Sequence, residues 1–151
     1  MFFMNLAIEQ AKLAALKDEI PIGAVLVSED GFIAAQTHNL VETLKDPTAH
    51  AEVLAIREAS KFLGLRLTNT SIYVTMEPCP MCAGALVLAR VRRLIYALPS
   101  PYGAAESLFN ITNNPYLNHQ LEVTAGCLEK EAKSIAAERK EQLRIKNTRA
   151  K

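Results

Sequence analysis

Residues 71–90 read SIYVTMEPCPMCAGALVLAR. The first six positions are rich in β-branched and aromatic residues and read as a strand, which Pro78 and Pro80 break. From Met81 to Arg90 the sequence is Ala- and Leu-rich with no breaker after Gly84, so it reads as a helix. A strand therefore runs straight into a helix, with Cys79 and Cys82 at the junction. Arg92 to Leu98 returns as a further strand, ended by Pro99 and Pro101.

Working upstream, a helix starts near Thr48 or Ala49, shows an apolar stripe at Val53, Leu54, Ile56 and Ala59, and fades at Leu63-Gly64. His38 to Thr48 is polar, contains Pro47 and reads as a loop. Ile22 to Val27 and Phe32 to Gln36 form a hairpin about Glu29-Asp30-Gly31. Residues 2–18 carry a helical stripe (Phe3, Leu6, Ala7, Ala11, Ala14, Ala15) that Asp18-Glu19 and Pro21 end. Downstream, residues 103–120 are mixed, with a firm loop signal at Asn113-Asn114-Pro115 and room for one more helix. Leu121 to Thr124 reads as a fifth strand and Glu129 to about Lys146 as the closing helix. The order α-β-β-α-β-α-β-(α)-β-α predicts a three-layer α/β/α fold with helices on both faces of a mixed five-stranded sheet.

At 151 residues the chain is expected to be a single domain spanning 1–151. Half the residues are apolar and Trp is absent, so the core is aliphatic and Ala-rich. No run of eighteen apolar residues is present, so no transmembrane helix is indicated. Met1-Phe2-Phe3-Met4 runs into Asn5, Glu9 and Lys12 at helical spacing, so it reads as a helix rather than a signal peptide, and the cytoplasm is the expected compartment. Three cysteines without a secretion signal argue against a disulfide framework. The net charge is only +1, but Lys130 to Lys151 hold eight basic residues against three acidic ones, so the tail carries +5 and the rest −4. Such a tail reads either as a solvated helix end or as an arm that contacts a polyanion.

Cys79 and Cys82, three residues apart at a helix start, can present both sulfurs to one ion, and a helix N-terminus favours thiolate. His50, at another helix start, offers a third soft ligand. Thiolates and imidazole together suit Zn2+, and three protein ligands leave a fourth position for water, the pattern of a catalytic site. Glu52, two residues from His50, is poorly placed to ligate but can flank the open position and carry protons. Cys-x-x-Cys alone leaves a redox dithiol and a structural metal site open. The remaining candidates for a fourth ligand (Cys127, His38 and His119) lack ligand-pair spacing. His50-Ala51-Glu52 upstream selects the catalytic reading.

These residues give His-x-Glu…Pro-Cys-x-x-Cys, which resembles the signature of zinc-dependent deaminases. The likeness extends through residues 20–27, Asn39, residues 46–52 and 73–85, Gly103-Ala104-Ala105, Ser107-Leu108 and Asn118-His119. Across these segments the chain resembles the cytidine and purine deaminase superfamily, and within it the bacterial tRNA-specific adenosine deaminases, which turn wobble adenosine into inosine. The resemblance implies a cytidine-deaminase-like fold, one Zn2+ per subunit on His50, Cys79 and Cys82, and Glu52 as the proton carrier. It further implies Asn39 as the residue that hydrogen-bonds the flipped base, a homodimer, and the tRNA anticodon loop as partner. It places Asn118 and His119 at the RNA groove, although His119 also reads as a packing residue and Asn39 as a turn former.

Two segments differ from that pattern. The Arg-Asp-x-Lys that precedes Gly-Ala-Ala in the family is here Leu98-Pro99-Ser100-Pro101-Tyr102, without charge. The closing helix has Ala136-Ala137-Glu138-Arg139-Lys140 in place of Phe-Phe-x-x-Arg-Arg. Both differences bear on RNA rather than on deamination. The competing readings are a free-base or nucleotide deaminase, such as a guanine deaminase, and a non-catalytic zinc- or RNA-binding module, against which Glu52 argues.

Overall fold

The computed structural model describes residues 1–101 and 106–149. The elements in chain order are α1 (Phe2–Leu16), β1 (Gly23–Ser28), β2 (Ile33–His38), α2 (Val41–Leu44), α3 (Ala51–Leu63), β3 (Thr70–Met76), α4 (Pro80–Ala89), β4 (Arg93–Leu98), β5 (Glu122–Ala125) and α5 (Glu129–Arg149). The strands form one sheet in the order β2-β1-β3-β4-β5. β1 pairs antiparallel with both β2 and β3, while β3, β4 and β5 run parallel. The expected mixed five-stranded sheet is therefore present, its parallel half made by the β3-α4-β4 unit read from residues 71–98.

Helices cover both faces. α3 and α4 pack together on one face, over a core that includes Leu26, Ala55, Ile72, Val74, Leu86 and Leu94. α1 and α5 pack on the other, where Met4, Ala7, Val25, Ala97, Ala132 and Ile135 form a second cluster. Ala and short aliphatic side chains dominate both, and let the helices approach the sheet closely. One such close approach is at Gly23, where an added Cβ would lie 2.0 Å from the Ala7 carbonyl oxygen.

Three details depart from the sequence expectations. The bracketed helix between the last two strands is absent among the described residues, where 106–119 are turns, bends and irregular backbone. The loop before α3 contains a four-residue helix, α2, too short to show a periodic stripe. α3 starts at Ala51 rather than at Thr48 or Ala49, which makes His50 its N-cap residue.

The parallel pairing sets the polarity of the whole molecule. β3 and β4 end side by side, with Met76 opposite Leu98. The N-terminus of α4 emerges from the same sheet edge, and α3 packs against α4.

Candidate metal centre

His50 and Cys79 hold equivalent positions. Each is the N-cap of its helix in an extended conformation, and neither side chain caps its own helix. Pro80 at the first turn of α4 is tolerated because that position needs no N–H partner. Cys82 lies within the same first turn and is buried. His50 Nδ1 is 3.6 Å from Cys79 Sγ and 3.5 Å from Cys82 Sγ, and the three donor atoms lie within 4.8 Å of one another.

This spacing fits zinc. Zn–S bonds of about 2.3 Å and Zn–N bonds of about 2.1 Å at a tetrahedral angle put N and S about 3.6 Å apart. The donor set is one imidazole and two thiols, which zinc prefers. The sulfurs are also poised unequally. A hydrogen bond from Cys82 lowers the Cys79 thiol to about 5, against the effect of its own burial. Cys82 is pushed up in return, by donating to Cys79 and by burial.

Glu52, in the first turn of α3, is 3% exposed, and its Oε2 has no hydrogen-bond partner among the described residues. Burial pushes its carboxyl up to about 7, only partly offset by the hydrogen bond from its own backbone N–H. A buried carboxyl oxygen left unpartnered beside three metal-type donors is costly for stability alone and useful for moving protons.

Asn39 is buried at the end of β2. Its N–H donates to the Ile22 carbonyl at 3.1 Å, and its Oδ1 accepts the Ala51 N–H at 2.9 Å. The structure thus brings together His50, Glu52, Cys79, Cys82 and Asn39. His119 is placed elsewhere: its Nε2 donates to the Val91 carbonyl at 2.7 Å, the packing role its residue type allowed. Arg90 holds the Asn118 carbonyl at 3.2 Å. Gly103, Ala104 and Ala105, and Tyr102 of the altered loop, lie outside the described residues.

Two buried carboxylates escaped the sequence reading. Glu77, 3% exposed, accepts N–H groups from Ser100 (3.2 Å), Glu106 (3.1 Å) and Ser107 (2.8 Å), and the Ser107 hydroxyl at 3.1 Å. Glu19, 1% exposed, accepts the N–H groups of Glu42 (3.1 Å) and Thr43 (2.7 Å) and the Thr43 hydroxyl at 2.8 Å. Glu77 stands inside the metal motif, the only signal that could have marked it; nothing local marks Glu19.

Residues 1–98 match the family described as the cytidine and deoxycytidylate deaminase zinc-binding region. The chain is 46% identical over 151 residues to a tRNA-specific adenosine deaminase of Bacillus subtilis, covering 99% of this chain and 93% of that protein. It superposes with a TM-score of 0.83, at 43% identity, on a solved structure from work on A-to-I editing by tRNA:A34 deaminases at the wobble position of transfer RNA, covering 89% of this chain and 98% of that one. A guanine deaminase structure from Bacillus subtilis is more distant, with a TM-score of 0.64 and 34% identity over 92% of each chain. The chain belongs to the zinc-dependent cytidine and deoxycytidylate deaminase family, among its tRNA-specific adenosine deaminases.

Proposed function

We propose that this protein hydrolytically deaminates the wobble adenosine of a tRNA anticodon loop to inosine, with His50, Cys79 and Cys82 holding zinc, Glu52 moving protons and Asn39 holding the base. The observation that carries this reading is the His50–Cys79–Cys82 triad at zinc spacing with the buried Glu52 Oε2, unpartnered among the described residues, two positions after His50.

When bound there, zinc supplies Lewis acidity that makes a water able to attack the purine carbon bearing the amino group. Glu52 takes a proton from that water and delivers it to the adjacent ring nitrogen. It then takes the proton of the hydroxyl now on that carbon and passes it to the amino group, which leaves as ammonia while the carbon keeps the oxygen as a carbonyl. With the Asn39 oxygen engaged by Ala51, its amide NH2 is the end that can donate to the acceptors of a purine edge. The anticodon loop suits the site because its bases are unpaired and can be splayed into a pocket.

The surface of α4 supports a homodimer. Pro80–Ala89 contains no charged residue, yet Met81 and Leu88 are 38% and 81% exposed. A helix apolar on every side is normally covered on every side. No described helix is long and apolar enough to cross a membrane, and the cytoplasm is where its proposed substrate resides. The basic tail contributes less free charge than its sequence suggests. Arg139 bonds the Asp18 carboxylate at 2.9 Å and the Asp18 carbonyl at 2.6 Å, and Lys146 bonds the same carboxylate at 2.7 Å.

The test measures zinc content together with inosine formation on an anticodon stem-loop, alongside ammonia release from free guanine, adenine and cytosine. Inosine in the stem-loop with about one zinc per chain is expected. Turnover of free bases alone would transfer the protein to the base-deaminase reading.

A further inference from the structure

Glu77 is buried, and among the described residues no lysine or arginine pairs with it. Among the described residues its two oxygens accept three backbone N–H groups and one hydroxyl, all from the segment between β4 and β5. The register explains the reach. Glu77 N–H donates to the Leu98 carbonyl at 2.7 Å, so the chain leaving β4 starts beside Glu77-Pro78-Cys79. One carboxylate thereby ties two separate points, Ser100 and Glu106–Ser107, to the turn that presents Cys79. Glu106 is held a second time, by the Tyr96 hydroxyl at 2.9 Å. Leu108 and Phe109 follow at once, 66% and 58% exposed. Phe109 stands two residues beyond the anchored Ser107, and an exposed aromatic ring is a platform on which an unpaired base stacks.

We propose that Glu77 is a positioning residue for the polynucleotide substrate: it fixes Ser100 and Glu106–Ser107 as a rim beside the zinc site and sets Phe109 to stack a base flanking the one deaminated. The proposal rests on the tRNA-deaminase reading. The anchor acts on substrate capture, because the segment it holds supplies none of the candidate ligands and does not include Glu52.

The experiment compares wild-type, Glu77→Gln and Glu77→Ala proteins in steady-state deamination of an anticodon stem-loop, with zinc content and amide hydrogen exchange measured on each. Gln keeps an acceptor for Glu106 and Ser107 and loses the one facing Ser100, so its effect is intermediate. KM is expected to rise about tenfold in Glu77→Ala and less in Glu77→Gln. In both, kcat stays within about twofold, zinc stays near one per chain, and the Ser100, Glu106 and Ser107 amides exchange faster. A joint fall of kcat and zinc would assign Glu77 to the metal turn alone and overturn the proposal. So would an unchanged KM with those amides released. Should Glu77→Ala fail to fold, Glu77→Gln decides by the same readouts. A wild-type protein that holds zinc but leaves the stem-loop unreacted overturns the functional reading and this proposal together, an outcome distinct from active wild-type protein with unaltered variants.

Discussion

The Asn39 side-chain oxygen holds the Ala51 N–H at 2.9 Å, between the candidate zinc ligand His50 and the candidate proton carrier Glu52. One amide thus secures the start of α3 with its oxygen and leaves its NH2 for the base it is proposed to hold. The two roles separate by substitution. Asn39→Ala leaves the Ala51 N–H buried without its acceptor and is expected to cost about 1–3 kcal/mol in unfolding free energy, together with activity. Asn39→Asp keeps an acceptor at a helix N-terminus, where negative charge is favoured, and loses the donor. It should melt near wild type while kcat/KM on the stem-loop drops at least tenfold, about 1.4 kcal/mol of transition-state binding. Full activity in Asn39→Asp would remove Asn39 from base recognition.

Glu52→Ala tests the proton path. The three zinc donors remain, so zinc content should stay near one per chain, while turnover falls by at least roughly 10²–10⁴-fold. Metal analysis of the purified variant decides between roles: loss of zinc would make Glu52 a structural residue.

Glu19 links pH to stability. Burial pushes its carboxyl up, but hydrogen bonds from the Thr43 and Glu42 N–H groups and the Thr43 hydroxyl outweigh this and hold it below its usual 4.5. The native state therefore stays ionised where the unfolded chain has begun to bind protons. The stabilisation is complete above the ordinary carboxylate range and is lost as pH falls from about 4.5 through the lower native value. Glu19→Ala should lower neutral-pH stability by about 1–3 kcal/mol and flatten this acid limb, as read by urea unfolding at a series of pH values.

Gly23→Ala should be among the most damaging small substitutions. The new Cβ would meet the Ala7 carbonyl at 2.0 Å and the Ala11 nitrogen at 2.5 Å, both backbone atoms of α1 that cannot rotate away. Overpacking of this kind costs typically about 1–3 kcal/mol or more. Thermal unfolding checks it, and a wild-type melting temperature would mean that α1 shifts freely on the sheet.

The sequence by itself determined the five strands, the four long helices and the candidate donor set. Residues 71–90 announce strand, breaker and helix through local propensity, and Cys79 and Cys82 sit three residues apart whatever the rest of the chain does. His50-Ala51-Glu52 is equally local. These features depend on backbone preferences and short spacings, which a linear reading carries. Only the tertiary structure decided which distant groups meet. It joins His50 to sulfurs 29 and 32 residues away, engages the Asn39 oxygen with Ala51, and settles His119 on the Val91 carbonyl. It also converts Glu19 and Glu77 from ordinary acidic letters into buried anchors. α2 illustrates the reason: its four residues have no side-chain N-cap, and the carboxylate that meets its N–H groups comes from Glu19, more than twenty positions earlier. Burial and long-range hydrogen bonding depend on strand order and helix placement, and those are set by the packing of the whole sheet.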